Sequence, residues 1–144
     1  MPTRTARTAW NGTLQEGSGQ VELSSSKVGT YDVSFPKRAA EDAGGATSPE
    51  ELIAAAHSAC YAMQLSAVIA EAGGTPQSLE VSVEVGLGPD GPGFKLTGIK
   101  ITVRGKVAGL DAAGFAKACQ AAKETCPVSK ALTGVAITLD AALA

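Results

Sequence analysis

The chain of 144 residues holds three thiols, Cys60, Cys119 and Cys126, and a single imidazole, His57. A thiol attacks an electrophile only as its thiolate, so the question is which cysteine has a cation or a helix N-terminus beside it. Cys60 lies in an apolar run, with His57 one helical turn before it. Arg38, in the polar loop after Phe35-Pro36-Lys37, and Glu50 precede that run and are placed to fold over it. Plain packing explains Cys60 equally well, since free cysteine is among the most buried residue types. Cys126 stands directly before Pro127, at the expected start of a short helix. Unpaired N–H groups and the helix dipole favour a thiolate there, with a partly buried cap residue as the equal alternative. Cys119, in Phe115-Ala116-Lys117-Ala118-Cys119, sits among small residues and reads as core. It is two helical turns from Cys126 and competes for a disulfide if that helix frays. Taken alone, Arg38 reads as a solvated charge and Glu50 as a carboxylate on a helix dipole.

Other chemistries find little support. One His and three scattered Cys lack the close paired spacing of a zinc site, so no metal is expected. The glycine-rich stretches lack the strand–loop–helix setting of a phosphate site, and no Ser-His-Asp arrangement is legible. A net charge of -2 and a pI near 5.4 argue against nucleic acid, which demands clustered Lys and Arg. The longest apolar run, Leu52 to Ala70, is interrupted by His57, Ser58, Gln64 and Ser66, so no membrane span is expected. The N-terminal residues show no signal-peptide pattern, and three cysteines without one do not suggest a disulfide scaffold. A reducing, cytoplasmic setting follows as an expectation.

The elements that must position these residues form one domain, 1–144. Thr5–Leu14, Gln20–Ser24 and Gly29–Phe35 read as short strands bounded by Gly, Ser or Pro. Pro36 stops the third, and 37–46 reads as a loop. Ser48-Pro49-Glu50-Glu51 is a helix start with cap, N1 proline and capping-box acid. That helix runs to about Ala72, where Gly73-Gly74 ends it, and its composition is apolar on nearly every face, which predicts burial. Ser78–Leu87 and Phe94–Val107 alternate and make a hairpin across Pro89–Gly93. Asp111 caps a helix over Ala112–Glu124, Val128–Leu132 makes a short further helix, and Val135–Leu143 is a last strand. The order βββ-α-ββ-α-α-β is an α+β arrangement with antiparallel sheets. Hydrophobic residues are 44% and aromatics only 4%, so small side chains fill the core and a partner subunit is expected to complete it.

These segments resemble a known family. Ser48–Cys60, with its Ala54-Ala55-Ala56-His57-Ser58-Ala59-Cys60, is similar to the central helix of the OsmC/Ohr hydroperoxide reductases. Thr125-Cys126-Pro127-Val128-Ser129 resembles that family's second cysteine motif, and Ile137-Thr138-Leu139-Asp140 matches as well. The His57-containing motif and an Arg in a Phe-x-x-Arg loop resemble the osmotically inducible protein C branch more than the organic hydroperoxide resistance branch. The resemblance implies an OsmC-like fold and an intertwined homodimer with active sites at the subunit interface. It implies a peroxidatic Cys60, a resolving Cys126, an Arg38 that stabilises the Cys60 thiolate and a Glu50 that orients Arg38. The implied activity is reduction of organic hydroperoxides through a redox-active disulfide. An external thiol or dithiol reopens it, with no cofactor, in an oxidative or osmotic stress response. Two other readings keep the fold: a redox sensor without turnover, and a structural stress-associated dimer.

Overall fold

The computed structural model describes residues 1–144, in two compact units, Met1–Pro49 and Glu50–Ala144. The first is an antiparallel sheet of β1 (Arg7–Asn11), β2 (Ser18–Glu22) and β3 (Thr30–Val33), in that order. A short helix, α1 (Phe35–Ala39), follows directly. The sequence predicts a loop here. Ser34 instead caps α1 by accepting from the Lys37 N–H, and Pro36 occupies the first turn, where its missing N–H costs nothing. Lys37 Nζ then donates to Gly44 O at 3.0 Å, and the Thr47 N–H donates to Asp32 O at 2.9 Å, drawing the segment after α1 back to β3.

The second unit begins with α2 (Pro49–Glu71), close to the predicted bounds. Gly73, at φ 88, supplies the left-handed turn that ends it. Within this chain α2 is buried along one stripe, His57, Tyr61, Leu65 and Ile69, at four-residue spacing. Met63 off that stripe is 70% exposed, so the expected all-round burial is met on one face only. Length and composition would let α2 cross a membrane, a test that core helices also pass, and Tyr61, Leu65 and Ile69 of its stripe belong to the core cluster.

Strands β4 (Thr75–Asp90) and β5 (Gly93–Ala108) form the expected hairpin, turning at Gly91, which has φ 58. Helices α3 (Ala112–Thr125) and α4 (Pro127–Ala131) follow, then β6 (Ile137–Leu143). Asp111 caps α3 by accepting from the Gly114 N–H at 2.7 Å. Strand β6 pairs with β5 in parallel, Ile99 opposite Ile137 through Gly105 opposite Leu143. This departs from the antiparallel expectation, and the two helices between the strands are the crossover that a parallel pair requires. Helix α3 lays Phe115, Ala118, Cys119 and Ala122 against Ile99, Ile101 and Val103 of β5. Gly105 makes room for this: a Cβ there would meet the Phe115 ring at 2.8 Å.

Candidate active site

Cys60 and Cys126 come together, Sγ to Sγ, at 3.2 Å. Cys60 is partly buried on α2, and Cys126 is fully buried where α3 ends and α4 begins. The backbone fixes that junction from both sides. The Cys126 N–H donates to Ala122 O at 2.9 Å, closing α3, and the Lys130 N–H donates to Cys126 O at 3.0 Å, opening α4. Two side-chain bridges pin α2 to this junction and flank the sulfurs. His57 Nε2 lies 2.7 Å from Ser129 Oγ, and Gln64 Nε2 donates to Thr125 Oγ1 at 3.0 Å. His57 and Gln64 stand one turn either side of Cys60, while Thr125 and Ser129 bracket Cys126.

The local electrostatics treat the two sulfurs differently. Burial pushes the Cys60 thiol up; the Val128 N–H opposes this, and the neighbouring Cys126 adds to the rise. Burial also works against ionising Cys126. There the Ser129 N–H, the Cys60 thiol, the Ser129 hydroxyl and the Val128 N–H outweigh it, and its pKa falls. Cys126 makes no capping hydrogen bond of the usual geometry, so these groups act on the large sulfur as nearby dipoles. Within this unit, then, negative charge favours Cys126, as its place at a helix N-terminus predicts.

His57 is a buried, hydrogen-bonded residue rather than a cation beside Cys60. Burial lowers its pKa, and its partner is the Ser129 hydroxyl. Cys119 is fully buried, its pKa is raised to about 11 by burial, and its carbonyl accepts from Tyr61 Oη at 2.8 Å. The core assignment of Cys119 therefore stands. Glu50 is buried in the first turn of α2, and Arg38 is half-buried in the last turn of α1, in the other unit. Ser129, Gln64 and Thr125 were not singled out in the sequence; a Gln inside an otherwise apolar helix was the available signal for one of them. No three His, Cys, Asp or Glu side chains converge as metal ligands.

The profile of the OsmC-like protein family matches residues 41–140. The chain is 40% identical over 131 residues to the Escherichia coli protein named peroxiredoxin OsmC, covering 91% of this chain and 90% of that one. It is 32% identical over 122 residues to an organic hydroperoxide resistance protein of Xanthomonas axonopodis pv. citri, covering 83% and 84%. Among solved structures, the organic hydroperoxide resistance protein OhrB of Bacillus subtilis superposes with a TM-score of 0.72 at 30% identity, covering 97% of this chain and 98% of that one. An organic hydroperoxide resistance protein OsmC from Legionella pneumophila superposes with a TM-score of 0.77 at 26% identity, covering 99% and 98%. By the profile match and these identities, the chain belongs to the OsmC-like protein family.

Proposed function

We propose that the protein is a thiol-dependent peroxidase that reduces organic hydroperoxides with Cys60 as attacker and Cys126 as resolver. The observation that carries this is the 3.2 Å approach of the two sulfurs, with Cys119 held apart in the core. The relatives named for peroxiredoxin activity and organic hydroperoxide resistance support the same chemistry.

On this reading the reactive form of the pair carries one proton. With that proton on Cys126, the Cys60 thiolate attacks the distal peroxide oxygen, the O–O bond breaks, and Cys60 becomes sulfenic acid. The alkoxide leaves as alcohol by taking the Cys126 proton, which leaves Cys126 as the thiolate its surroundings favour. That thiolate attacks Cys60, the S–O bond breaks, and hydroxide leaves to become water. Two equivalents of an external thiol, or one dithiol, reopen the disulfide by exchange. Because the groups around the sulfurs favour charge on Cys126, loading Cys60 requires a cation. Arg38 is the residue for that role, oriented by Glu50. Its guanidinium keeps its charge in any environment a protein offers.

We further propose that residues 1–144 act as one domain completed by a second copy, as an intertwined cytoplasmic homodimer. Trp10, Tyr31 and Met63, all more than two-fifths exposed in the single chain, are the apolar surface such a partner would cover.

One equivalent of cumene hydroperoxide followed by mass spectrometry tests the role assignment. The wild type is expected to form a Cys60–Cys126 disulfide. Cys126→Ser should yield sulfenic or over-oxidised Cys60, and Cys60→Ser should not react. A dominant Cys119–Cys126 disulfide would overturn the assignment.

A further inference from the structure

His57 has no part in the chemistry just described, yet it is wholly buried beside the sulfur pair. Its Nε2 meets Ser129 Oγ at 2.7 Å, and its Nδ1 is buried without a partner. Ser129 is itself only 4% exposed. A neutral imidazole carries one N–H. With the proton on Nδ1, a buried donor would be orphaned; with it on Nε2, the orphan is a bare acceptor, the less costly of the two. Burial lowers the His57 pKa and so keeps the ring neutral. Nε2–H therefore donates to Ser129 Oγ. A serine hydroxyl has one hydrogen, and once its oxygen is occupied as an acceptor that hydrogen must point elsewhere. Cys126, the N-cap of α4 three residues before Ser129, is the sulfur beside it, and a hydroxyl hydrogen turned there favours its thiolate.

We propose that His57 is a positioning residue for Cys126, holding the Ser129 hydroxyl so that its single proton faces the Cys126 sulfur during attack on oxidised Cys60. The proposal rests on the reading of Cys126 as resolver. No proton passes to His57. The Cys126 lone pair forms the S–S bond, the Cys60 S–O bond breaks, and the departing hydroxide is protonated by a buffer acid in the solvent and leaves as water. The ring and the hydroxyl hold charge in place and are not consumed.

The test is single turnover with one equivalent of cumene hydroperoxide, quenched at timed intervals with dimedone and read by mass spectrometry. Dimedone capture at Cys60 reports the first step and the disulfide reports the second. Ser129→Ala and His57→Leu should slow the second step relative to the first by about 10- to 100-fold, the loss of one hydrogen bond to a charged group. His57→Gln, which keeps an N–H donor, should recover most of the loss. His57→Leu in the Ser129→Ala background should add nothing, because His57 acts through Ser129. Wild-type disulfide kinetics in Ser129→Ala would overturn the proposal. So would parallel slowing of both steps, which marks a packing defect. A wild type that never forms the Cys60–Cys126 disulfide would instead overturn the resolver reading, and the proposal with it.

Discussion

Between Glu50 and Ala144, eleven buried side chains meet in one cluster, from Tyr61 on α2 through Ile101 on β5 to Cys126. Met1–Pro49 adds only Val21 and Ala46 to the buried apolar residues, and every residue of β1 is exposed. The larger unit spends most of its apolar surface internally. The smaller holds its shape with polar links, such as Gln20 Nε2 to Asp32 Oδ1 at 2.9 Å. The difference bears on precision. Cys126 lies within the buried cluster and Cys60 packs against it, so both sulfurs are held by close packing rather than by polar links alone.

Substitutions on the two sides should break or sharpen that contrast. The largest effect is expected from Phe115→Ala, which empties the space above Gly105. Urea unfolding should show a loss of about 3–5 kcal/mol, and a loss below about 1 would mean the cluster does not carry the unit. The next is alkaline. The Cys119 pKa is raised in the fold to about 11, from 9.0. The unfolded chain thus gives up this proton first, and stability present below pH 9.0 is lost as the pH climbs to about 11, at about 1.4 kcal/mol per unit. Burial raises Tyr61 too, so its share is lost at higher pH still. Cys119→Ala should remove the earlier part of this decline in urea titrations at stepped pH. An unchanged profile would contradict a protonated, buried Cys119. In the smaller unit Val21→Ala removes two methyl groups and should cost about 1.5 kcal/mol. A loss as large as that of Phe115→Ala would erase the contrast. The smallest effect should come from Arg104→Ala. Its guanidinium meets Asp140 at 3.3 Å across the β5–β6 pair, half-exposed, where such pairs contribute under about 1 kcal/mol.

Much of the larger unit was legible because its signals are local. Ser48-Pro49-Glu50-Glu51 and Asp111 mark helix starts by capping chemistry, and strict alternation marks the hairpin. The parallel direction of β6 was not, because alternation looks the same in either direction; only the length of the helical crossover from Ala108 to Ile137 carried that information. Helix α1 escaped notice because five residues show no helical period, and its evidence is a single cap, Ser34. At the site, Cys126 was placed at a helix start from its proline alone. Its approach to Cys60 is a tertiary fact, and the resemblance supplied it where residue chemistry left it open. The His57–Ser129 bridge spans 72 positions, and no spacing rule reaches across such a gap.

The 3.2 Å between the sulfurs also limits what oxidation can do to the rest of the molecule. A disulfide sits at about 2.05 Å, so closing the bond asks for a stroke of roughly 1 Å. The parts that would carry the stroke are clamped on both sides by the His57–Ser129 and Gln64–Thr125 bridges. A device that reports its oxidation state to a partner needs travel to transmit. On the reading proposed above, the Cys60–Cys126 pair has almost none, an economy that suits cycling rather than signalling.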